Sequence, residues 1–438
     1  MMQQPPLRWI WEHKKYGTFP YNMDELVTIL NDIHVMKRML DNILSIYAEN
    51  VVDEVQIENV TEEIYDNSRI EGEHLERESI RNSMAKAINK NYAQSHGIST
   101  KHTDALVDLL MESRENNKPI TLSRLHNWHR GVFIHTRTNY KRSQEDKIIF
   151  GRFRDKEVRV IEELFGRGGH RTRYLAPPPE TLEEDVKRFL HYCNYTQEDP
   201  YIKAAIAHLW FVSIHPYDDG NGRISRAVSD HILAHETKEQ YKTYSISSGI
   251  YMKHADYYGI LSETTDLYRN RHFDFTPWIK WHLQITFAAI KKSLKESTFI
   301  IERGQFWEKH QVFNLNDRES KTINTMFDAL SKGKIESFST KEYMLEHGVS
   351  RSTTRRDINA LVDANMLAKV ECESERYPRY ILKTDETSDL EMLSLTKAKG
   401  VKRETNCLIS ETRNTNPSSP SPHEENTPYT HESKPSQR

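Results

Sequence analysis

Nine residues, HPYDDGNGR at 215–223, set a histidine, two acids, an asparagine, two glycines and an arginine side by side, with Arg226 three positions on. Histidine is the side chain best suited to moving a proton near neutral pH. Gly220, Asn221 and Gly222 precede a segment of helical periodicity, RISRAVSDHILAHE. A helix N-terminus offers unpaired N–H groups and partial positive charge, and glycines let that backbone approach a phosphate closely. Arg223 and Arg226 share one face of the first turn, where two guanidiniums oppose the helix dipole. A polyanion held between them would relieve that opposition. Asp219 is placed to hold Mg²⁺ against such an anion, since Mg²⁺ typically takes one or two carboxylates plus phosphate oxygens. His215 is then within reach of an incoming hydroxyl. The competing reading is a sharp surface turn, because Asp-Gly and Asn-Gly are strong turn formers and Asp218 or Asp219 could serve as the N-cap.

The elements around the motif favour the first reading. DPYIKAAIAHLWFVSI, 199–214, opens with an aspartate cap and a first-turn proline, then runs apolar on nearly every side, as a helix at the centre of a domain does. It delivers His215 at its end. Upstream, LRWIWEHKKYGTFPYN is dense in aromatics, which predicts a terminus docked on a core. Helical patterns follow in MDELVTILNDIHVMKRMLDNIL, VDEVQIENVTEEIYDNSRIEGEHL, TDALVDLLMES and LSRLHNWHRGVF, and 272–310 supplies one or two more. Between 150 and 180 the rhythm changes: KEVRVIEEL, the turn GRGG at 166–169 and TRYLAPPP predict a β-hairpin in an otherwise helical protein.

Composition excludes several classes. The 438 residues suffice for two or three domains, and a net charge of −3 gives no overall bias toward nucleic acid or membranes. Cys193, Cys372 and Cys407 are scattered and lack metal spacing, so a reduced, cytoplasmic setting is expected. No apolar run reaches the length of a membrane span, and the N-terminus lacks a signal peptide's apolar core.

HPYDDGNGRISR resembles the signature of the Fic family, with Tyr217 where phenylalanine is commoner. GRFRDKEVRVIEE followed by PPP resembles the strand-rich flap over that family's active site, and ADYYGILSETT a later segment whose tyrosine lies near adenine. The likeness covers about 55–285, and RWIWEHKKYGTFPYN resembles the small helical domain that precedes Fic in many bacterial members. The fold implied is mainly α, a Fic helical core with a β-hairpin flap. The activity implied is transfer of AMP from ATP to a tyrosine, threonine or serine hydroxyl of a target protein or of the chain itself. In that likeness His215 is the general base. Asp219 holds Mg²⁺. Gly220, Asn221 and Gly222 cradle the phosphates, with Arg223 and Arg226 at the β/γ end. Glycine at 222 favours AMP transfer over phosphorylation, whose practitioners carry lysine there. Tyr257 is implied for the adenine pocket, and Val160 and Ile161 for flap contacts, against plain packing for all three. Flap strands would dock a target's backbone as an added strand.

NSRIEG, 67–72, resembles the family's inhibitory motif, with Asn67 in place of serine or threonine. Glu71 would pair with Arg226 and deny it to the γ-phosphate, while Asn67 is expected to donate a hydrogen bond to the carboxylate. In some relatives the equivalent glutamate also serves AMP removal. The alternative is a solvated glutamate among Glu62, Glu63 and Glu73.

Residues 320–383 read as a separate winged helix-turn-helix. Arg351, Arg355 and Arg356 on its candidate recognition helix suit DNA, but 340–383 carry eight basic residues against seven acidic ones, which argues against strong nonspecific binding. Beyond 384 the composition is that of a disordered tail. The expected organisation is thus an N-terminal helical domain (1–54), the Fic domain with its inhibitory helix (55–285), a helical linker (286–319), the winged helix (320–383) and the tail (384–438). The architecture implies a homodimer, whose interface the residues do not fix. A transcriptional regulator that uses the pocket as a nucleotide sensor is the rival reading.

Overall fold

Long helical periodicities dominate the sequence, and a computed structural model of the chain is accordingly mainly helical, describing residues 7–47, 49–88, 98–134, 149–163, 170–237, 243–331, 334–370, 378–384 and 431–432. Two compact units form: Met1–Ser297 with Asn426–Arg438, and Thr298–Glu425. The expected turn at 166–169, Cys372, Cys407 and the tail from 385 on (431–432 apart) lie outside the described residues.

In the first unit, α1 (Val27–Ser45) buries Leu30, Ile33, Leu40 and Leu44 at helical spacing. α2 (Glu49–Ile70), α3 (Arg77–Ile88) and α4 (Lys101–Glu115) share a core of Ile57, Val60, Ile64, Ile80, Met84, Val107 and Leu110. The N-terminal aromatics dock as expected: Trp9 meets Tyr174 edge-on at 5.4 Å, and Phe19 packs on Trp210 and Phe275. α5 (Leu122–Val132) is capped by Thr121. β1 (Arg159–Glu163) and β2 (His170–Leu175) pair antiparallel, with an irregularity between Val160 and Ile161.

α6 (Leu182–Tyr195) precedes the central α7 (Pro200–Ile214), which Asp199 caps by accepting from the Tyr201 N–H. Ile202, Ala205, Leu209 and Phe211 of α7 are all fully buried. α8 (Asn221–Glu236) packs along it, with Ser229 donating to the Ala204 carbonyl at 3.0 Å. Arg114 of α4 meets Asp230 of α8 at 2.5 Å, with side chains 8% and 3% exposed. α9 (Ile246–Met252) and α10 (His254–Thr265) follow, then α11 (Thr276–His310), whose residues to Ser297 belong to this unit and whose Trp278 donates to the Ala205 carbonyl at 2.8 Å. On its free edge β1 also pairs antiparallel with β6 (His431–Glu432), in the register Val160↔His431.

The second unit has its own core of Phe306, Ile323, Met326, Phe327, Leu361, Leu367 and Leu382. Its order is α12 (Asp317–Ser331), β3 (Ser337–Ser339), α13 (Thr340–His347), α14 (Arg351–Asp363), β4 (Leu367–Val370) and β5 (Arg379–Leu382). The three strands pair in the order β3-β5-β4. Gly348, at φ +62°, ends α13, and Ser350 caps α14. Among the described residues no helix is long and apolar enough to cross a membrane.

The Arg114–Asp230 pair ties α4 to the helix that carries both motif arginines. Arg114→Met leaves the buried Asp230 carboxylate without its guanidinium and is expected to cost about 3–5 kcal/mol, read as a lower urea midpoint. Arg114→Met combined with Asp230→Leu should recover most of that loss. A single variant as stable as the parent would show that other contacts hold α4 in place.

Candidate active site

α7 ends at His215, which takes a left-handed conformation (φ 50°, ψ 57°) that non-glycine residues seldom adopt. The surroundings hold it there. Arg154, itself buried, donates from Nε to the His215 carbonyl at 2.7 Å and from its backbone N–H to the Pro216 carbonyl at 3.0 Å. Burial pulls the Arg154 pKa down to about 10. The imidazole Nδ1 lies 3.2 Å from the Val212 carbonyl. Only a protonated nitrogen can bond to a carbonyl, so this contact assigns the proton to Nδ1 and the basic lone pair to Nε2.

The loop then turns into α8. Asn221 braces it with both ends of its amide, accepting from the Tyr217 N–H at 3.0 Å and donating to the Tyr217 carbonyl at 2.8 Å. Gly220 is the residue before the helix, at φ +79°, and no side chain caps α8. The capped-turn alternative therefore does not describe this loop. Asp218 accepts instead from the Ile149 N–H at 3.2 Å, and Asp219 Oδ1 from the Gly220 N–H at 2.6 Å.

Both arginines face carboxylates from the segment after α2. Arg226 Nη2 donates to Glu71 Oε1 at 2.5 Å, and Arg223 Nη1 to Glu73 Oε2 at 3.2 Å. Burial works against the Arg226 charge, but Glu71 together with the oxygens of Tyr257 and Tyr258 outweighs it, and the pKa is raised. Glu71 is thus no solvated glutamate. Glu63 is not one either, being buried and bonded to Ser247, while Glu62 receives Arg77 at 2.7 Å. One expectation needs correction. Asn67 does not act as donor to the carboxylate; its Oδ1 accepts from Arg226 Nε at 2.8 Å, because the guanidinium edge presents donors on both sides. Gly222 lies directly beneath this contact: a Cβ there would stand 2.5 Å from Glu71 Oε1 and 3.2 Å from Arg226 Nη1.

The remaining expected residues are placed as follows. Tyr257 is buried, stacks on Trp281 at 5.7 Å, and exchanges a hydrogen bond with His208 Nε2 at 3.0 Å. Burial raises its pKa to about 12, with Arg226 close enough to oppose the shift. Ile161 is buried, and Val160 packs against the cluster of Trp9, Val158, Tyr174 and Ala176. No group of three or more His, Cys, Asp or Glu able to hold a metal exists among the described residues.

One set of positioning contacts is absent from the sequence reading. His126, His129 and Phe133 recur along α5 and the residue beyond it at spacings of three and four, so they share a face. That face meets the loop. His126 Nδ1 bonds the Tyr217 hydroxyl at 3.0 Å; His129 stacks on the Tyr217 ring at 4.0 Å and bonds the Asp219 carbonyl at 3.0 Å; Phe133 lies 4.6 Å beneath the Arg223 guanidinium. Burial lowers the His129 pKa to about 4. Two histidines and a phenylalanine at helical spacing carry a signal only once the loop they contact is known.

Residues 9–89 match a domain of unknown function, DUF4172, and residues 119–233 match the Fic/DOC family. A protein adenylyltransferase Fic from Drosophila mojavensis is 36% identical over 117 residues, 26% of this chain and 19% of that protein. A uridine 5'-monophosphate transferase from Xanthomonas campestris is 34% identical over 65 residues, 13% of this chain and 12% of that protein. A Fic family protein of known structure from Desulfovibrio desulfuricans is 18% identical, with a TM-score of 0.45 over 80% of this chain and 96% of that one. The chain spans about a fifth of the length of the Drosophila relative. Residues 119–233, which hold α5, the β1–β2 hairpin, α7, the loop and most of α8, thus carry a Fic domain of the Fic/DOC family.

Proposed function

We propose that the chain is a protein adenylyltransferase that moves AMP from ATP to a tyrosine, threonine or serine hydroxyl of a target protein or of itself, with Glu71 as its built-in brake. The observation that carries this reading is a pair of unmade donors. Arg226 Nη1 and Arg223 Nε are buried without a hydrogen-bond partner among the described residues, at the start of a helix already positive by its dipole. A triphosphate supplies what such a site lacks. In the step proposed, the acceptor hydroxyl oxygen bonds to the α-phosphorus, the bond to the bridging oxygen of the β-phosphate breaks, and pyrophosphate leaves. The hydroxyl proton passes to His215 Nε2. Asp219 would hold Mg²⁺, which supplies charge neutralisation on the phosphates.

Gly220, Asn221 and Gly222 would offer backbone N–H groups to the phosphates, with Arg223 and Arg226 toward the β/γ end. Tyr257 would border the adenine pocket. The backbone edge of β1 near Val160 and Ile161 would align a target strand; β6 pairing on that edge supports the idea that it accepts one. The order of elements from α12 to β5, with Arg351, Arg355 and Arg356 exposed on α14, supports a winged helix-turn-helix and a second, DNA-binding reading. Salt-sensitive retention of duplex DNA, with no label transferred to protein, is the result expected from a nucleotide-sensing regulator. A homodimer in a reducing cytoplasm completes the proposal.

Glu71→Gly is expected to raise self-labelling from α-labelled ATP by about tenfold or more, the scale of one lost ion pair, and His215→Ala to abolish it in either background. If Glu71→Gly leaves labelling flat while His215→Ala removes it, the brake is wrong and the transferase reading stands. Glu73→Ala, which frees only Arg223, should give a smaller rise than Glu71→Gly. Chelating Mg²⁺ with EDTA should silence every variant, and excess Mg²⁺ should restore it. Run in parallel on ATP, GTP, UTP and CTP, the same assay should favour ATP; a preference for UTP would replace adenylyl with uridylyl transfer.

A further inference from the structure

The Asp219–Gly220 peptide is the weak point of the proposed phosphate cradle. Gly220, at φ +79°, tolerates either orientation of the peptide before it, since turns that differ by a flip of one peptide plane are close in energy when glycine follows. In a trans peptide the C=O and N–H point in opposite directions. Fixing the carbonyl on one side therefore aims the Gly220 N–H to the other, where Asp219 Oδ1 now accepts it at 2.6 Å.

His129 fixes that carbonyl. Its Nδ1 faces the Gly151 backbone N–H at 2.9 Å, which can only donate, so Nδ1 is an acceptor. Its Nε2 faces the Asp219 carbonyl at 3.0 Å, which can only accept, so Nε2 carries the proton. The ring is fully buried, sandwiched against Tyr217 at 4.0 Å and Phe133 at 5.1 Å, and has no freedom to exchange these roles. Phe133 closes the mould from below, for a Cβ on Gly220 would stand 2.7 Å from its ring.

We propose that His129 is a positioning residue for nucleotide binding, holding the Asp219–Gly220 peptide so that the Gly220 N–H faces the phosphate. The inference rests on the nucleotide-site reading above. It predicts that one half of the imidazole matters for nucleotide and the other does not. His129→Gln keeps a donor at the reach of Nε2 and loses the acceptor for Gly151. His129→Asn keeps an acceptor near Nδ1 and loses the donor to Asp219.

Calorimetric titration of the full-length chain with Mg²⁺-ATP, in a Glu71→Gly background, separates the two. His129→Asn should weaken binding about tenfold, the scale of a lost hydrogen bond that leaves its partner unsatisfied, while His129→Gln stays within about threefold of the parent. Thermal melts should show both variants folded and similarly destabilised. Equal weakening by both, in step with their melting points, would reduce His129 to packing and overturn the proposal. So would an Asn variant that binds like the parent. A parent that binds Mg²⁺-ATP but labels no protein would sink the transferase reading and leave this one intact; a parent that binds no nucleotide would sink both.

Discussion

Positive charge is concentrated at the start of α8 beyond what that helix can stabilise alone. Two guanidiniums, Arg223 and Arg226, sit on the first two turns of a helix whose N-terminus is already the positive end of its dipole. The Arg226 side chain is 2% exposed and that of Arg223 11%, so water contributes little. Anions must come from elsewhere. Glu71 and Glu73 provide two, from a segment distant in sequence, and they leave part of each guanidinium unbonded. The rest of the unit is arranged around this requirement: α7 and α5 hold the loop, α4 anchors α8 through Asp230, and α2 ends where the carboxylates that follow it reach the arginines.

Under the proposed function, the step from resting to active is an exchange and not a rupture. Removing Glu71 and leaving Arg226 buried and bare would be costly, as for any buried pair that loses one partner. Replacing its carboxylate with a phosphate oxygen keeps the charge compensated, so the difference between the two states is far smaller than the pair energy itself. Gly222 enters both sides of that exchange. A side chain there would collide with Glu71 before it met any ligand, since its Cβ would lie 2.5 Å from the carboxylate oxygen. Any side chain at 222 would have to displace the Glu71 carboxylate from its present position, so under the proposed function the phosphate cradle and the brake constrain the same residue.

The motif from His215 to Arg226 was legible because its residues act on one another over eleven positions, within a single helix–turn–helix of local geometry. Helix existence, the hairpin and the docked aromatic terminus were legible from periodicity for the same reason. What the sequence hid depends on long-range contact. Nothing in LSRLHNWHRGVF distinguishes His129 from an ordinary core histidine until Asp219 lies opposite it. Nothing in GRFRD marks Arg154 as special, yet it is buried and spent on backbone carbonyls. Asn67 shows a subtler limit: its amide was expected to donate to the Glu71 carboxylate, and its Oδ1 instead accepts from the Arg226 guanidinium.

The position of Glu71 in the backbone bears on how the proposed brake would be released. Glu71 is not a residue of α2, which ends at Ile70; it belongs to the turn that follows, with its N–H on the Ser68 carbonyl at 3.1 Å and Gly72 at φ +73°. The helix body is fastened elsewhere, by its shared core with α3 and α4, by Glu63 on Ser247, and by His254 on the Ile70 carbonyl at 3.1 Å. A left-handed glycine directly after Glu71 is a joint at which the turn can re-form while the helix stays put. Under the proposed function, withdrawing the Glu71 carboxylate from Arg226 is then a local opening between Ile70 and Glu73 that breaks the Glu71 and Glu73 ion pairs, while Asn67 on α2 keeps its bond to Arg226 Nε.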